Sequence, residues 1–181
     1  MCLAIAKPEG QTIPIEHLRN GFNRNPDGAG YAITRNMKNI IRKGFFTFDE
    51  FIADYNENVR DTQSAIVHFR LASHGPINKR NCHPWIVSPN VCMIHNGVLD
   101  CHSTPTLSDT GFFVARILAK HANRIADPVF HARMENRIGE RNKFVFLYAC
   151  GEIVIYNEAS GHWNSGVWYS NDSYLTQTEK T

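Results

Sequence analysis

The stretch Phe144-Val-Phe-Leu-Tyr-Ala149, Cys150-Gly151, Glu152-Ile-Val-Ile-Tyr156 consists of two apolar runs joined at a Cys-Gly pair. β-Branched and aromatic residues dominate both runs, which is typical of β-strands. Residues 166–170 predict a further strand after them, and residues 2–6 predict a strand at the other end of the chain. Because helical patterns separate the two groups of strands, we expect an α+β fold with antiparallel sheets rather than a series of βαβ units.

Between these first and last strands, some segments have the hydrophobic pattern of a strand and others have that of a helix. Residues 30–34 and 40–46 predict a hairpin, since the residues between them favour a turn. Thr47 and Glu50 have the spacing of a capping box, which predicts that a helix begins there. The remaining predicted elements are helices at residues 15–23, from Ser108, and from Asp127-Pro128 to 139, and strands at residues 64–71 and 91–95.

Size and composition point to one domain over residues 1–181. Hydrophobic residues make up 43% and charged residues 20%, and the net charge is +2, so the charge gives no reason to expect a nucleic acid or a membrane surface as a partner. No apolar run approaches the roughly 20 residues of a membrane-spanning helix. Residues 7–10, Lys-Pro-Glu-Gly, stand where a signal peptide would be apolar, so we expect a cytoplasmic protein.

The five cysteines form no C-x-x-C pair and are odd in number, which argues against a disulfide framework and for a reducing compartment. Cys82-His83, Cys92, His95 and Cys101-His102 superficially resemble a zinc cluster. Their spacings do not form paired ligand knuckles, and an odd offset along a strand sends side chains to opposite faces. We therefore expect no metal and no cofactor, and a Cys/His metal module is the third-ranked alternative.

Cys2 is a candidate nucleophile because it directly follows the initiator methionine. Its small side chain favours removal of Met1, after which one residue carries both a thiol and an α-amine with a pKa of about 7.7–8.0. That pair supplies the nucleophile and the base that covalent catalysis needs. Taken alone, Cys2 is weak evidence, and it is more simply interpreted as a small buried hydrophobe at the start of the first strand.

Three further segments place polar groups at the ends of predicted strands or at a helix start. Arg70 suits a carboxylate through its planar guanidinium, with a structural salt bridge as the alternative. Asn96-Gly97 is a turn signal, yet its amide and backbone N–H could converge on an oxyanion. Asp109 could cap a helix or hold an ammonium group. Together with Cys2, these residues predict a site for an α-amino acid that carries a side-chain amide.

In these segments the sequence resembles the class II glutamine amidotransferases, the N-terminal-nucleophile hydrolases with cysteine at the mature N-terminus. The matching segments occur in the family's order over residues 1 to about 120. They are Met1-Cys2, Pro26-Asp-Gly-Ala-Gly30, His68-Phe-Arg-Leu-Ala-Ser-His-Gly75, Asn81-Cys-His-Pro84, His95-Asn-Gly97 and Ser108-Asp-Thr110. Any one of them is a weak signal, whereas the ordered set is specific.

The resemblance implies a four-layer αββα sandwich of two stacked antiparallel sheets, with the chain as one glutamine amidotransferase domain. In it the α-amine of Cys2 is the base, Asn96 and Gly97 form the oxyanion hole, and Arg70 and Asp109 bind the two ends of glutamine. The implied site residues are catalytic Cys2, Asn96 and Gly97; substrate-binding Arg70, Asp109, Ser73, His74 and Gly75; and supporting His83.

The implied reaction is hydrolysis of the glutamine side-chain amide through a glutamyl thioester, which gives glutamate and ammonia. A separate ammonia-accepting synthase subunit is the expected partner. The alternatives are a standalone hydrolase of a γ-glutamyl amide conjugate, or a catalytically silent glutamine-binding or regulatory module that retains Met1. Three departures from the family's pattern bear on the substrate: Leu3 replaces a frequent glycine, Leu71 an aromatic residue, and Gly111 a glutamate.

The last 60 residues carry no motif of this family. Trp163 and Trp168 are most simply edge and core aromatics of the closing strands, and a lid or a docking role for a partner is the alternative.

Overall fold

The computed structural model of this chain describes residues 2–72, 75–101 and 107–176, and these contain ten β-strands and four α-helices. The strands are β1 (Leu3–Lys7), β2 (Ala29–Arg35), β3 (Lys38–Phe45), β4 (Ala65–Phe69), β5 (Trp85–Ser88), β6 (Val91–Asn96), β7 (Lys143–Tyr148), β8 (Ile153–Tyr156), β9 (His162–Asn164) and β10 (Val167–Tyr169). The helices are α1 (Ile15–Arg24), α2 (Phe48–Asn58), α3 (Asp109–Arg116) and α4 (Pro128–Ile138).

The strands form two antiparallel sheets. The larger has six strands in the order β3-β2-β4-β1-β10-β9, and the smaller has four in the order β5-β6-β7-β8. β1 lies inside the larger sheet, with Ile5 opposite Val67 of β4 on one side and Tyr169 of β10 on the other. Cys2 directly precedes β1, so it lies next to a strand that is paired on both sides with strands from distant parts of the sequence.

Side-chain alternation along the strands produces three cores and hence four layers. In β1, Ala4 and Ala6 face the smaller sheet, and they pack with residues such as Ile94 of β6. Leu3 and Ile5 point the other way, into a core shared with α1 and α2. A third core joins α3 and α4 to the outer face of the smaller sheet. The layers therefore run helices, sheet, sheet, helices, which confirms the expected fold class.

Three helices begin where the sequence predicts. The side chains of Thr47, Ser108 and Asp127 each accept a hydrogen bond from a backbone N–H in the first turn of the helix that follows. Asp127 is followed by Pro128 at the first helical position, where the missing N–H has no effect on the helix. The cap at Ser108 matters for the site, because α3 begins there with Asp109.

The sequence pattern does not predict β5 or β9. Both are short edge strands, and each leaves a large apolar side chain in solvent, Ile86 in β5 and Trp163 in β9. An edge strand that is half solvated lacks the continuous apolar run that identifies a buried strand. Trp163 is thus the expected edge aromatic, while Trp168 in β10 is fully buried. None of the helices in the described ranges has the length and apolar character needed to cross a membrane.

Candidate active site

The thiol of Cys2 lies against the backbone of Leu71. Its Sγ accepts a hydrogen bond from the Leu71 N–H at 3.3 Å, and the thiol donates to the Leu71 carbonyl oxygen, which lies 3.4 Å from Sγ. Burial raises the pKa of the Cys2 thiol, while the backbone contact with Leu71 and the positive charge of Arg70 act in the opposite direction. The thiol is therefore protonated near neutral pH, so nucleophilic chemistry at Cys2 would require a base.

The loop at Asp27-Gly28 holds Leu71 in place. The backbone N–H of Asp27 donates to the Arg70 carbonyl at 2.9 Å, and the Arg70 N–H donates to the Gly28 carbonyl at 2.8 Å. The Asp27 carboxylate also accepts from the Ala72 N–H at 2.8 Å. The Pro-Asp-Gly motif therefore acts as a clamp on residues 70–72, the segment that contacts the thiol.

The Arg70 side chain is buried just after β4 and turns toward the segment at residues 75–76. Its Nη1 donates to the Pro76 carbonyl at 3.2 Å and its Nη2 to the Gly75 carbonyl at 3.3 Å. Gly75 thus contacts the guanidinium through its backbone. Ser73 and His74, the other two residues expected beside Arg70, lie outside the described residues.

Asp109 is buried at the first residue of α3. Its carboxylate accepts hydrogen bonds from the Leu99 N–H at 2.8 Å and from its neighbour's N–H, that of Thr110, at 2.7 Å. These two hydrogen bonds hold the carboxylate at the start of α3. Ser108 provides the helix cap, so Asp109 is not the cap that its position also allowed.

Asn96 ends β6 and Gly97 follows it, and both line a cavity with Cys2. Asn96 is buried, and its Nδ2 donates to the Ser170 hydroxyl at 2.7 Å. Gly97 has φ +145°, and a Cβ at this position would overlap the side-chain oxygen of Asn142 and approach the Arg141 carbonyl. Only glycine therefore fits this turn. These two residues could present a side-chain amide and a backbone N–H to the same oxygen, as an oxyanion hole requires.

Ser170 and Asn171, which follow β10, also contact the residues around Cys2 and Asn96. The sequence does not predict these contacts. The Ser170 hydroxyl accepts from the Ala4 N–H at 2.9 Å as well as from Asn96. Asn171 donates from its Nδ2 to the Cys2 carbonyl at 2.8 Å. Serine and asparagine after a strand are ordinary turn residues, so their role becomes visible only when β10 is seen to pair with β1.

Three buried histidines form a layer beneath the site. The rings of His68 and His83 stack with their centroids 4.0 Å apart, and those of His83 and His95 lie 6.4 Å apart at an angle of 21°. His83 Nδ1 accepts from the His95 N–H at 3.0 Å. This bond occupies the lone pair of neutral His83, so its Nε2 carries the proton and His83 is a donor rather than a base.

The histidine layer is uncharged at neutral pH. Burial lowers the pKa of His68 to about 3 and that of His95 to about 4, and it holds the pKa of His83 well below its ordinary value. The His68 ring also donates from Nε2 to the His95 carbonyl at 2.9 Å. The layer therefore fixes the backbone of His95, the residue before Asn96, without adding charge.

Cys2 lies where two cavities meet. The smaller, of about 20 Å³, is polar and is lined by Cys2, Arg70, His83, Gly97 and Asp109 among others. The larger, of about 470 Å³, is lined by Cys2, Asn96 and Gly97 together with mostly apolar groups. The structure thus brings together the described residues that the sequence singled out: the thiol, the two charged groups and the turn at Asn96-Gly97.

The cysteines and histidines that resemble a zinc cluster do not form one in the part of the chain that the structure describes. There, no three His, Cys, Asp or Glu side chains lie close enough to hold a metal ion. Cys92 faces the core between the sheets, whereas the His95 ring lies on the opposite side, where it contacts Thr110 of α3. His102 lies outside the described residues.

Curated proteins with similar sequence are aminotransferases that use glutamine. The glutamine–fructose-6-phosphate aminotransferase (isomerizing) of Buchnera aphidicola subsp. Acyrthosiphon pisum is 34% identical over 91 residues, which are 50% of this chain and 15% of that protein. The protein of the same name from Photorhabdus laumondii subsp. laumondii is 34% identical over 98 residues, 54% of this chain and 16% of that protein. The chain therefore spans a small part of the length of these relatives. No protein-family model matches it.

Among solved structures, the glutamine phosphoribosylpyrophosphate amidotransferase from B. subtilis, complexed with ADP and GMP, has a similar fold. The TM-score is 0.63, and the match covers 96% of this chain and 42% of that chain. The sequence identity is 19%, so this likeness concerns the fold. Because it covers 96% of this chain, it includes most of the residues after 120, which carry no motif of the family that the sequence resembles.

Proposed function

We propose that this chain, a member of the class II glutamine amidotransferase family, hydrolyses the side-chain amide of glutamine with Cys2 as the nucleophile. The sequence likeness to glutamine-using aminotransferases and the fold likeness to an amidotransferase support this reaction. The observation that carries the proposal is the small polar cavity, where Cys2, Arg70, Gly97 and Asp109 meet although they span more than 100 residues of sequence.

Acylation begins with removal of the thiol proton. Once Met1 is cleaved off, the α-amine of Cys2 is the base closest to its own Sγ, and it accepts the proton directly or through a water molecule. The neutral histidines are poor candidates, because His83 already accepts a hydrogen bond at Nδ1. The thiolate then attacks the amide carbon, and the oxygen becomes an oxyanion near Asn96 and the Gly97 N–H.

Collapse of the oxyanion breaks the C–N bond. The protonated α-amine returns its proton to the leaving nitrogen, so ammonia departs and a glutamyl thioester remains on Cys2. In the second half, the same amine takes a proton from water, and the resulting hydroxide attacks the thioester carbon. The C–S bond breaks, glutamate leaves, and the thiol is restored.

Arg70 and Asp109 are proposed to bind the two charged ends of the amino acid. A guanidinium matches the α-carboxylate, and the carboxylate of Asp109 matches the α-ammonium. Both side chains now bond to backbone groups, and the polar cavity has room for about one water molecule. Substrate binding therefore requires Arg70 and Asp109 to share or exchange some of these bonds.

The ammonia is proposed to serve a separate acceptor subunit. The curated relatives are several times longer than the region they share with this chain, and their names describe transfer of an amino group to a sugar phosphate. This chain supplies the glutaminase half of such a reaction. A protein that copurifies with the chain and raises its glutaminase rate would be a candidate acceptor.

The intact mass of the purified protein, taken before and after incubation with 6-diazo-5-oxo-L-norleucine, tests the proposal. The starting mass reports whether Met1 is absent. We expect one adduct, mapped to Cys2 by peptide sequencing and prevented by excess glutamine, together with release of ammonia from glutamine. Cys2→Ala should abolish both, whereas Cys150→Ala, a change at an exposed cysteine, should label as the unaltered protein does.

Every other outcome of this experiment contradicts a specific part of the proposal. A Met-free protein that neither labels nor releases ammonia would exclude glutamine hydrolysis. Activity retained by Cys2→Ala would exclude Cys2 as the nucleophile. If Met1 remains and nothing labels, the α-amine is blocked and the silent glutamine-binding module becomes the better description.

A further inference from the structure

The larger cavity beside Cys2 exceeds what the release of ammonia requires. Its volume is about 470 Å³, whereas a molecule the size of water or ammonia needs only about 10–15 Å³ of such space. Cavities of 300–1,000 Å³ are the usual size of sites for small organic ligands. The space adjoins the nucleophile, so whatever occupies it lies within reach of the bond that is cleaved.

The lining of this cavity is mostly apolar. Leu71, Ala72 and Val98 form much of its wall, and Leu71 and Val98 are 39% and 50% exposed. Exposed apolar side chains that surround a concave space mark binding sites for apolar groups. Arg141 adds one charged side chain to the lining, so the wall is not uniformly apolar.

The residues that line the two cavities indicate which part of a substrate each cavity would bind. The polar cavity has the charged residues Arg70 and Asp109, which suit the amino-acid end of a γ-glutamyl group. The larger cavity shares Cys2 and Gly97 with it and has Asn96 in addition. An amide carbonyl at Cys2 with its oxygen toward Asn96-Gly97 therefore places the nitrogen substituent in the larger cavity.

We propose that the cavity formed by Leu71, Ala72, Val98 and Arg141 beside Cys2 is an amine subsite, and that the chain also hydrolyses γ-glutamyl amides whose nitrogen carries an apolar substituent. This rests on the proposed function, since it uses the same nucleophile and the same glutamyl site. The thiolate displaces the substituted amine, which leaves with one proton as the C–N bond breaks. Water then cleaves the thioester, giving glutamate and the free amine.

A series of L-γ-glutamyl n-alkylamides, from methyl to hexyl, tests the subsite on the Met-free protein with glutamine measured in parallel. The basicity of the leaving amine is nearly constant along the series, so changes report burial of the alkyl chain. Full burial of one methylene corresponds to about a fourfold gain in affinity. We expect kcat/KM to rise by about two- to fourfold per methylene until the cavity is filled.

Val98→Asn should reduce the ratio of kcat/KM for the hexylamide to that for glutamine by at least about tenfold, because it places an amide in the apolar wall. Val129→Asn is the matched control, since Val129 is also an exposed valine, at 57%, and lies on α4 away from both cavities. This control should leave the ratio unchanged. The alkyl series on the unaltered protein gives an answer even if the Val98 variant does not fold.

The outcomes separate the subsite from the proposed function. If glutamine is hydrolysed but kcat/KM stays constant or falls with alkyl length, the proposed amine subsite is wrong, and the proposed glutaminase activity is retained. The larger cavity is then better explained as a passage for ammonia or a surface covered by the acceptor subunit. If a Met-free preparation cleaves neither glutamine nor any alkylamide, both proposals fail.

Discussion

Asn96 and Ser170 join the two sheets at the edge of the candidate active site. Asn96 ends β6 of the smaller sheet, and its Nδ2 donates to the hydroxyl of Ser170, which follows β10 of the larger sheet, at 2.7 Å. The same hydroxyl accepts the Ala4 N–H two residues after Cys2. The orientation of the proposed oxyanion donor is therefore tied to β1, the strand that directly follows Cys2, the proposed nucleophile. We regard Ser170 as a positioning residue, because it acts on Asn96 rather than on the substrate.

Ser170→Ala should lower kcat by about tenfold and change KM little. The substitution removes one hydrogen bond to the Asn96 amide, and a tenfold effect corresponds to about 1.4 kcal/mol, within the range of a single buried hydrogen bond. Steady-state kinetics with glutamine measures the effect. Ser173→Ala is the control, since Ser173 contacts Asn25 and not Asn96.

A double-mutant cycle distinguishes this role from a general loss of stability. Asn96→Ala alone should reduce kcat by roughly 10²–10³, as expected for removal of an oxyanion donor. Ser170→Ala should then cause no further loss in the Asn96→Ala background, because the group it positions is absent. Additive losses would contradict the positioning role and would indicate that Ser170 supports the fold independently of Asn96.

The sequence predicts the residues of this candidate site that lie near β1, β4, β6 and α3, but it does not predict those that follow β10. Cys2, Arg70, Asn96 and Asp109 lie in or beside short motifs whose residue types have strong local preferences, so their clustering can be anticipated. Ser170 and Asn171 reach the site only because β10 pairs with β1 across more than 160 residues. No local pattern encodes a pairing of that separation. The edge strands β5 and β9 escape prediction for a related reason, since half-solvated strands lack an apolar run.

Arg70→Lys should raise the apparent KM for glutamine on the order of tenfold with a smaller effect on kcat. Lysine keeps the charge but cannot contact two acceptors in the planar geometry of the guanidinium. Arg70 also bonds to the carbonyls of Gly75 and Pro76, so thermal unfolding must be measured alongside. An unchanged KM in a variant with normal thermal stability would exclude Arg70 as the carboxylate clamp.

Gly97→Ala should reduce activity by about 100-fold or more. Its φ of +145° disfavours any side chain, and a Cβ would overlap the Asn142 side chain that supports His95. Gly139→Ala provides the matched control, because Gly139 also has a positive φ, +75°, yet has open space around its Cβ position. We expect Gly139→Ala to keep a glutaminase rate near that of the unaltered protein, whereas Gly97→Ala loses most of it. This difference would show that the loss comes from the site and not from backbone strain alone. Equal losses in both variants would contradict the steric argument.

The buried histidines predict that stability decreases as the pH falls below about 6.5. Folding lowers the pKa of His68 to about 3 and that of His95 to about 4, whereas both titrate near 6.5 in the unfolded chain. Between these values the unfolded chain binds more protons, so the free energy of unfolding decreases with falling pH. Each histidine contributes a slope of about 1.4 kcal/mol per pH unit.

The effect of the buried histidines on stability is best measured between pH 6.5 and pH 4.5. The Arg42 guanidinium lowers the pKa of Asp54 below its ordinary value of 3.8, so the loss of that stabilisation begins only at more acidic pH. Urea unfolding at intervals across the window should give the slope, and His68→Gln should reduce it by about 1.4 kcal/mol per pH unit. Glutamine keeps an N–H that can donate to the His95 carbonyl, as His68 does. A slope that is flat in the unaltered protein, or equal in both proteins, would show that His68 is not held neutral by the fold.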